Sequence, residues 1–429
     1  MKIAMKWFFL SLFSPLCLPY LACSQDTAYF VPDGTQGEEL VKLDSLHSIA
    51  RKRPWNEFDF KSTSFKIGAG FLYEFGTFEQ NANSKIQSDS GQYSLEPTFK
   101  VRDFRVLLSG QIKSKRAITW RAGLMYDGPS DSWFLRESGV LVSVPELWGE
   151  FFVGRTKEGF SMNKVMNGYA GWSMERQMAI DVIPILADGI KWMGFLPRQK
   201  IFWNLGGYTD WLSKGQSFST YLWQVDARVG WLPIYSPKDK KILHLGLSLR
   251  YGEPVDHQMR LKSRPEAFTA PYFIDTKTFS SDHSFHIGPE AYYSAGPLLF
   301  GSEIYWHHFY DKQGEDHVFQ GGELMVSYLL TGGSRSYKTI SNIYAFVPVS
   351  HPVFKGGGGQ IEFMIRYTQL DLNSGSVQGG NFWRITPMIN WYLSNNFRFE
   401  IAYGYGVLDQ YGIKGSTQFF QSRIQLLLN

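Results

Sequence analysis

Arginine recurs along this sequence at positions that alternate with apolar residues. Arg121, Arg228, Arg250, Arg366, Arg384, Arg398 and Arg423 follow the pattern, and Lys191 sits in another stretch of the same kind. Guanidinium groups gathered on one wet surface attract anions, and their planar fork of donors pairs bidentately with phosphate or carboxylate oxygens. In a narrow aqueous space with low-dielectric walls, such a set lowers the energy of a passing anion and raises that of a cation. A second arrangement stays open. Asp226, Glu290, Glu303, Glu362 and Glu400 share these polar faces, and by pairing with the arginines they would brace a wall and cancel its field.

Other chemistries find less support. His307 and His308 are adjacent, so on a strand they point to opposite sides; with His283 and His286 they read as wall or loop histidines rather than metal ligands. No serine stands at a defined spacing from a base, so neither a catalytic residue nor an enzyme is expected. Lys355-Gly356-Gly357-Gly358-Gly359 lacks the closing Gly-Lys-Ser/Thr of a phosphate-cradling loop and runs into alternation at Gln360. Asp371 to Gly375 has a faint calcium-loop spacing without the closing Glu, and reads as a turn. No metal and no cofactor are implied.

The elements that position the arginines are strands. Val225, Ala227, Val229 and Trp231 alternate with Gln224, Asp226 and Arg228, with Tyr221 and Trp223 extending the apolar face; Leu243 to Tyr251 alternates with His244 to Arg250 in the same way. Ile118 to Tyr126 and Ile361 to Tyr367 repeat the pattern, and Ile424, Leu426 and Leu428 close the chain opposite Arg423 and Gln425. Tyr126, Tyr221, Trp231, Tyr251 and Tyr367 lie at the ends of apolar stripes, where interfacial girdles form. After residue 24 no apolar run approaches the roughly 18 to 20 residues of a membrane helix. A closed barrel hides apolar content by alternation, so aromatic residues at 17% and a mean hydropathy of −0.22 are compatible with it. The expected fold is all-β, a transmembrane antiparallel β-barrel in contact with outer-membrane lipid. At about 25 residues per strand and connection, the length gives roughly 16 strands, and an even count returns both termini to one side.

Residues 1–24 read as an export signal: Lys2 and Lys6, the apolar run Trp7 to Leu21, then Ala22-Cys23-Ser24. Tyr20 disfavours a lipoprotein reading of Cys23. The two cysteines, Cys17 and Cys23, both fall in this segment, so the mature chain has no disulfide framework. Residues 25–64, rich in charge and proline, read as an N-terminal periplasmic extension, and 65–429 as the barrel. Removing Lys2 and Lys6 with the signal lowers the net charge from +4 to +2, which excludes a nucleic-acid binder driven by bulk charge. Together these observations point to a Gram-negative outer-membrane pore for passive diffusion of small hydrophilic solutes, with anions favoured. The alternative is a barrel plugged by its own loops that serves as an anchor or partner-binding platform.

Several stretches resemble the phosphate-selective porin O/P family. Ser327 to Tyr337 is similar to its late strand ending in Leu-Thr-Gly, and Gly379 to Tyr405 contains its Asn-Trp-Tyr strand as Asn390-Trp391-Tyr392. Gly356 to Leu372 resembles its Gly-rich lead-in to an Arg-Tyr strand, and Ile287 to Tyr305 its hairpin around Gly-Pro. Phe152 to Asn167 and Met174-Glu175-Arg176 resemble its strand and inward loop. The pieces keep their order over roughly residues 65 to 429. The resemblance implies a 16-stranded barrel, a homotrimer, a third loop folded into the lumen, and anion preference; the terminal Asn429 departs from the usual aromatic ending. Lys157, Lys164, Glu175 and Arg176 lie on the segment expected to fold inward, where they either border the constriction or form a solvated loop.

Overall fold

The computed structural model describes residues 54–128, 131–210, 220–312 and 314–428; the export signal and residues 25–53 of the expected extension lie outside the described residues. Strict alternation along the chain becomes a closed antiparallel barrel of 16 strands. The strands are β1 Thr63–Gln80, β2 Thr98–Ile112, β3 Ile118–Asp127, β4 Ser132–Leu135 continued by Ser138–Val144, β5 Gly149–Thr156, β6 Ala187–Leu196, β7 Ile201–Thr209 and β8 Tyr221–Ser236. They continue as β9 Lys241–Pro254, β10 His283–Ala295, β11 Leu298–Tyr310, β12 His317–Leu329, β13 Gln360–Ser374, β14 Val377–Tyr392, β15 Phe397–Gln410 and β16 Ile413–Leu428. Each strand pairs with the next, and β16 pairs with β1 from Ala69↔Leu428 to Gln80↔Thr417, which leaves no free edge. Closure satisfies every ladder group internally, the condition for a sheet to cross lipid. A short strand, Glu57–Asp59, folds back onto the start of β1.

The outer surface is the apolar half of the alternation. Val225, Val229, Leu245, Ile304, Val326, Ile365, Ile389 and Leu426 are exposed, while Arg228, Arg250, Arg366, Arg384 and Arg398 on the other face are fully buried. This is a sheet turned inside out relative to a soluble sandwich. Trp231, Tyr251 and Tyr367 lie on the outer face as expected. Tyr221 does not: a bulge between Tyr221 and Trp223 shifts the phase and turns its ring inward, where it is buried.

The lumen is occupied by the chain itself, and three connections fill it. At the end away from the termini, residues 157–186 between β5 and β6 carry the helical turn Met162–Val165, and residues 255–282 between β9 and β10 carry a hairpin of Gln258–Ser263 with Ile274–Ser280. At the end bearing the termini, residues 330–359 between β12 and β13 carry a two-residue hairpin, Tyr337–Lys338 with Ile343–Tyr344. The apolar residues of these segments make the core. Ala267, Ala270, Phe273 and Phe279 pack with Phe319, Leu370, Phe382 and Phe419 of the wall, and Met162, Trp172 and Met174 pack with Tyr292, Met325, Met364 and Tyr344. Ile340 reaches Leu141, Phe152 and Met193 on the opposite wall, and Phe346 reaches Leu72 and Leu427, so the last segment crosses the whole lumen as a floor.

Candidate functional site

The arginines on the β8–β16 wall meet carboxylates. Arg228 donates from Nε to Glu290 at 2.8 Å, and Arg250 from Nε to Glu158 of the 157–186 loop at 2.8 Å. Arg366 bridges Glu266 at 2.7 Å and Glu323 at 3.4 Å. Arg398 lies 2.9 Å from Glu400, and Arg423 contacts both Glu74 and Glu175. Arg384 has amide rather than acid partners: it donates to the Pro265 carbonyl at 2.6 Å and to Gln421, beneath the Phe419 ring. Arg335, in the floor segment, pairs with Glu362 at 2.6 Å. Pairing of buried charges leaves little net field, while breaking one such pair costs about 3–5 kcal/mol. These side chains therefore tie the infolded loops to the wall.

The opposite wall is different. Arg121 of β3 remains about a third exposed, 4.0 Å from Glu137. Lys191 of β6 donates to the Lys157 carbonyl at 3.2 Å, above the Phe152 ring. On the loop, Arg176 donates to the carbonyls of Asn163 at 2.9 Å and Met166 at 3.0 Å, and Lys157 donates to those of Val165 and Met166. A carbonyl satisfies a donor without cancelling its charge. Lys164 instead shares the Glu158 carboxylate with Arg250, at 3.1 Å, and Glu175 pairs with Arg102 at 2.9 Å. Of the four loop residues, then, Lys157 and Arg176 keep an uncancelled charge.

Arg102, Arg105 and Arg136 stand beside them, Arg102 paired with Glu175 and Arg105 with Asp103, and the alternation pattern did not single these out. A bulge opposite Leu72 and Tyr73 leaves Arg102 as an extra residue in β2, so Arg102, Asp103 and Arg105 all reach the interior. Arg136 and Glu137 sit in the break that divides β4. The Lys100-Val101-Arg102-Asp103-Phe104-Arg105 run of closely spaced charge, out of phase with a strict period, was the available signal.

These groups surround a small cleft of about 40 Å³ between the loop and the β1–β2 wall, lined by Arg102, Asp103, Arg105, Arg176 and Arg423 together with Glu175. Below it Ser109 and Gln111 of β2 stay exposed on the inner face, beside Arg121. Inner residues of β8–β16 are mostly sealed, so the wet part of the lumen lies off the barrel axis. Burial, reinforced by Arg105, lowers the Arg176 guanidinium to about 10. Burial also disfavours a charged Glu175, but Arg102 and Arg423 more than offset it and hold the carboxyl at about 2. Lys157 is driven well below the usual lysine range by burial first, then by Arg176.

A closed 16-stranded barrel with an apolar outer belt, a loop folded into the lumen and a charged cleft beside it is the architecture of outer-membrane porins. A family profile described as phosphate-selective porin O and P matches residues 65–425, and the chain belongs to that family. Its barrel is that of an outer-membrane porin. An uncharacterized protein of Caulobacter vibrioides is 29% identical over 184 residues, 42% of this chain and 36% of that one, so the match spans about a third of the relative's length. Among solved structures, the outer membrane channel DcaP of Acinetobacter baumannii aligns with a TM-score of 0.54 at 9% identity, over 86% of this chain and 99% of that one. OmpT of Vibrio cholerae gives 0.53 at 10% identity over 86% and 99%. An anion-selective porin from Comamonas acidovorans gives 0.51 at 13% identity over 85% and 100%. At these identities the likeness concerns the fold.

Proposed function

We propose that the barrel passes small anions by diffusion along the off-axis cleft, and that Arg102, Arg105, Arg121, Arg136, Lys157, Arg176 and Lys191 set the sign of the solute. One observation carries this reading. Even with Arg102 paired to Glu175 and Arg105 to Asp103, the seven cations that border the cleft outnumber the five acids there (Asp103, Asp127, Glu137, Glu150 and Glu175), whereas the cations of the sealed wall are tied to acids or amides. Weak, multiple cationic contacts attract an anion without trapping it, as conduction requires. Phosphate fits the same donors, in keeping with the family's name. Arg228, Arg250, Arg366, Arg384, Arg398 and Arg423 brace the infolded loops in this reading. A homotrimer is proposed as well, supported by the trimer form of Vibrio cholerae OmpT among the similar structures.

The test is a reversal potential across a planar bilayer in a KCl gradient. Chloride is expected to be favoured, Arg105→Gln with Arg176→Gln to weaken that preference, and Arg228→Gln to leave it nearly unchanged in whatever fraction folds. Potassium preference in the parent protein would end the anion reading. A second reading is favoured by the floor at residues 330–359, which crosses the lumen from Arg335 and Glu362 to Ile340 and Leu141: the barrel would then be closed and serve as an anchor. A protein that inserts and stays electrically silent would support it.

A further inference from the structure

Three carboxylates stand side by side on the inner wall. Glu290 of β10 is directly opposite Glu303 of β11, and Glu303 directly opposite Glu323 of β12. Like charges at opposed cross-strand positions destabilise a sheet unless something compensates them. Arg228 compensates Glu290 and Arg366 compensates Glu323. Among the described residues no cation lies within ion-pair distance of the central Glu303, which is fully buried.

Glu303 is instead wrapped by neutral donors, most of them from the loop at 157–186. Ser161 donates its hydroxyl at 2.6 Å, Asn163 its backbone N–H at 3.0 Å, and Gln177 its side-chain amide at 2.8 Å. Tyr292 donates at 2.7 Å, and Tyr305 also donates to it. The flanking acids hold the same turn: the Met162 N–H donates to Glu290 and the Asn163 amide to Glu323, each at 3.0 Å. The wall is shaped for this. A Cβ on Gly288 would sit 2.1 Å from the Tyr305 ring, and one on Gly301 2.2 Å from that of Tyr292, so only glycine lets both rings lie flat toward the carboxylate. Ser161 adopts φ 68°, a left-handed conformation that costs a non-glycine residue strain and persists only where surrounding contacts fix it.

We infer that Glu290, Glu303 and Glu323 form a latch that pins the tip of the loop against the β10–β12 wall, and thereby sets the width and ion preference of the passage on the other side. Glu303 is the positioning residue. It touches no solute, but it decides where Lys157 and Arg176, on the same loop, stand. The inference rests on the reading that the barrel conducts. Because the loop lies against β10–β12, the open space falls beside β1–β5; a released tip would widen that space and carry the loop cations out of it.

Single-channel recording of the full-length protein tests the latch from both sides. Glu303→Gln removes the charge and points an amide N–H at donors. The paired loop change Ser161→Ala with Gln177→Leu removes two donors and leaves the wall intact. Each is expected to raise mean open conductance about two-fold and to add rapid current fluctuations, with weaker chloride preference. Because both act on one contact, combining them should add little beyond either. Parent-like conductance and noise in the loop variant, or full additivity in the combination, would overturn the latch; should Glu303→Gln fail to assemble, the loop variant decides alone. The parent's reversal potential reads the anion proposal separately, so failure of one is distinguishable from failure of the other.

Discussion

Arg250 and Arg176 bring the same guanidinium into the same lumen, yet only Arg250 has a carboxylate against it. That difference turns one into a brace and the other into part of a field. Lys157 belongs with Arg176, and burial first, then Arg176, lower its ammonium well below the ordinary lysine value. The sign follows directly: the ammonium exists below this depressed value and the neutral amine above it, so positive charge is lost as pH rises. Chloride preference is therefore expected to fall as pH rises through this depressed value, below the ordinary lysine range, and Lys157→Met to flatten the profile at the alkaline level. A parent profile that rises with pH would contradict this. At this scale the sequence was readable for direction and unreadable for partner. Alternation turned Arg228, Arg366 and Arg398 inward, but nothing in a period of two reveals that Arg250 meets Glu158 or that Arg423 meets Glu74 across the closing seam. Arg102 and Arg105 stayed hidden because a bulge erased the period where it mattered.

Strand existence follows from local pattern, whereas loop position follows from packing between segments far apart in sequence. The long connection at 157–186 could be expected to enter the lumen only through resemblance to a family. A lumen plugged by loops stood as the alternative, but nothing in the sequence singled out residues 330–359 as the floor; that rests on contacts such as Tyr337 OH 2.7 Å from His244 and the Asn342 carbonyl accepting from Arg228 at 2.9 Å. The floor also touches the upper loop, because Arg335 donates to the Ala170 carbonyl at 3.1 Å and Tyr344 meets Trp172 edge-on. The two segments thus support one another from opposite ends of the barrel. Replacing residues 336–346 with a short Gly-Ser linker should raise conductance while the cationic cleft beside β1–β2 keeps its chloride preference. An unchanged conductance would show that the floor does not restrict the path; a current that appears only in the variant would favour the closed-barrel reading for the parent.

For the molecule as a whole, the passage is bordered by residues of a single chain, from Arg102 and Arg105 of β2 to Arg176 of the loop. An assembly of three such barrels would hold three separate paths rather than one shared axial pore. Each path is walled by its own closed sheet, and charge in a neighbouring barrel, lying more than a Debye length of about 10 Å away at 0.1 M salt, is largely screened. The proposed trimer therefore makes a specific electrical prediction. One insertion event should close in three equal steps, and the reversal potential should be the same with one, two or three paths open. A single step would remove the trimer and leave the anion reading intact. Steps of equal size but changing selectivity would mean that cations from adjacent copies share one field, which would place part of the selectivity outside the cleft described here.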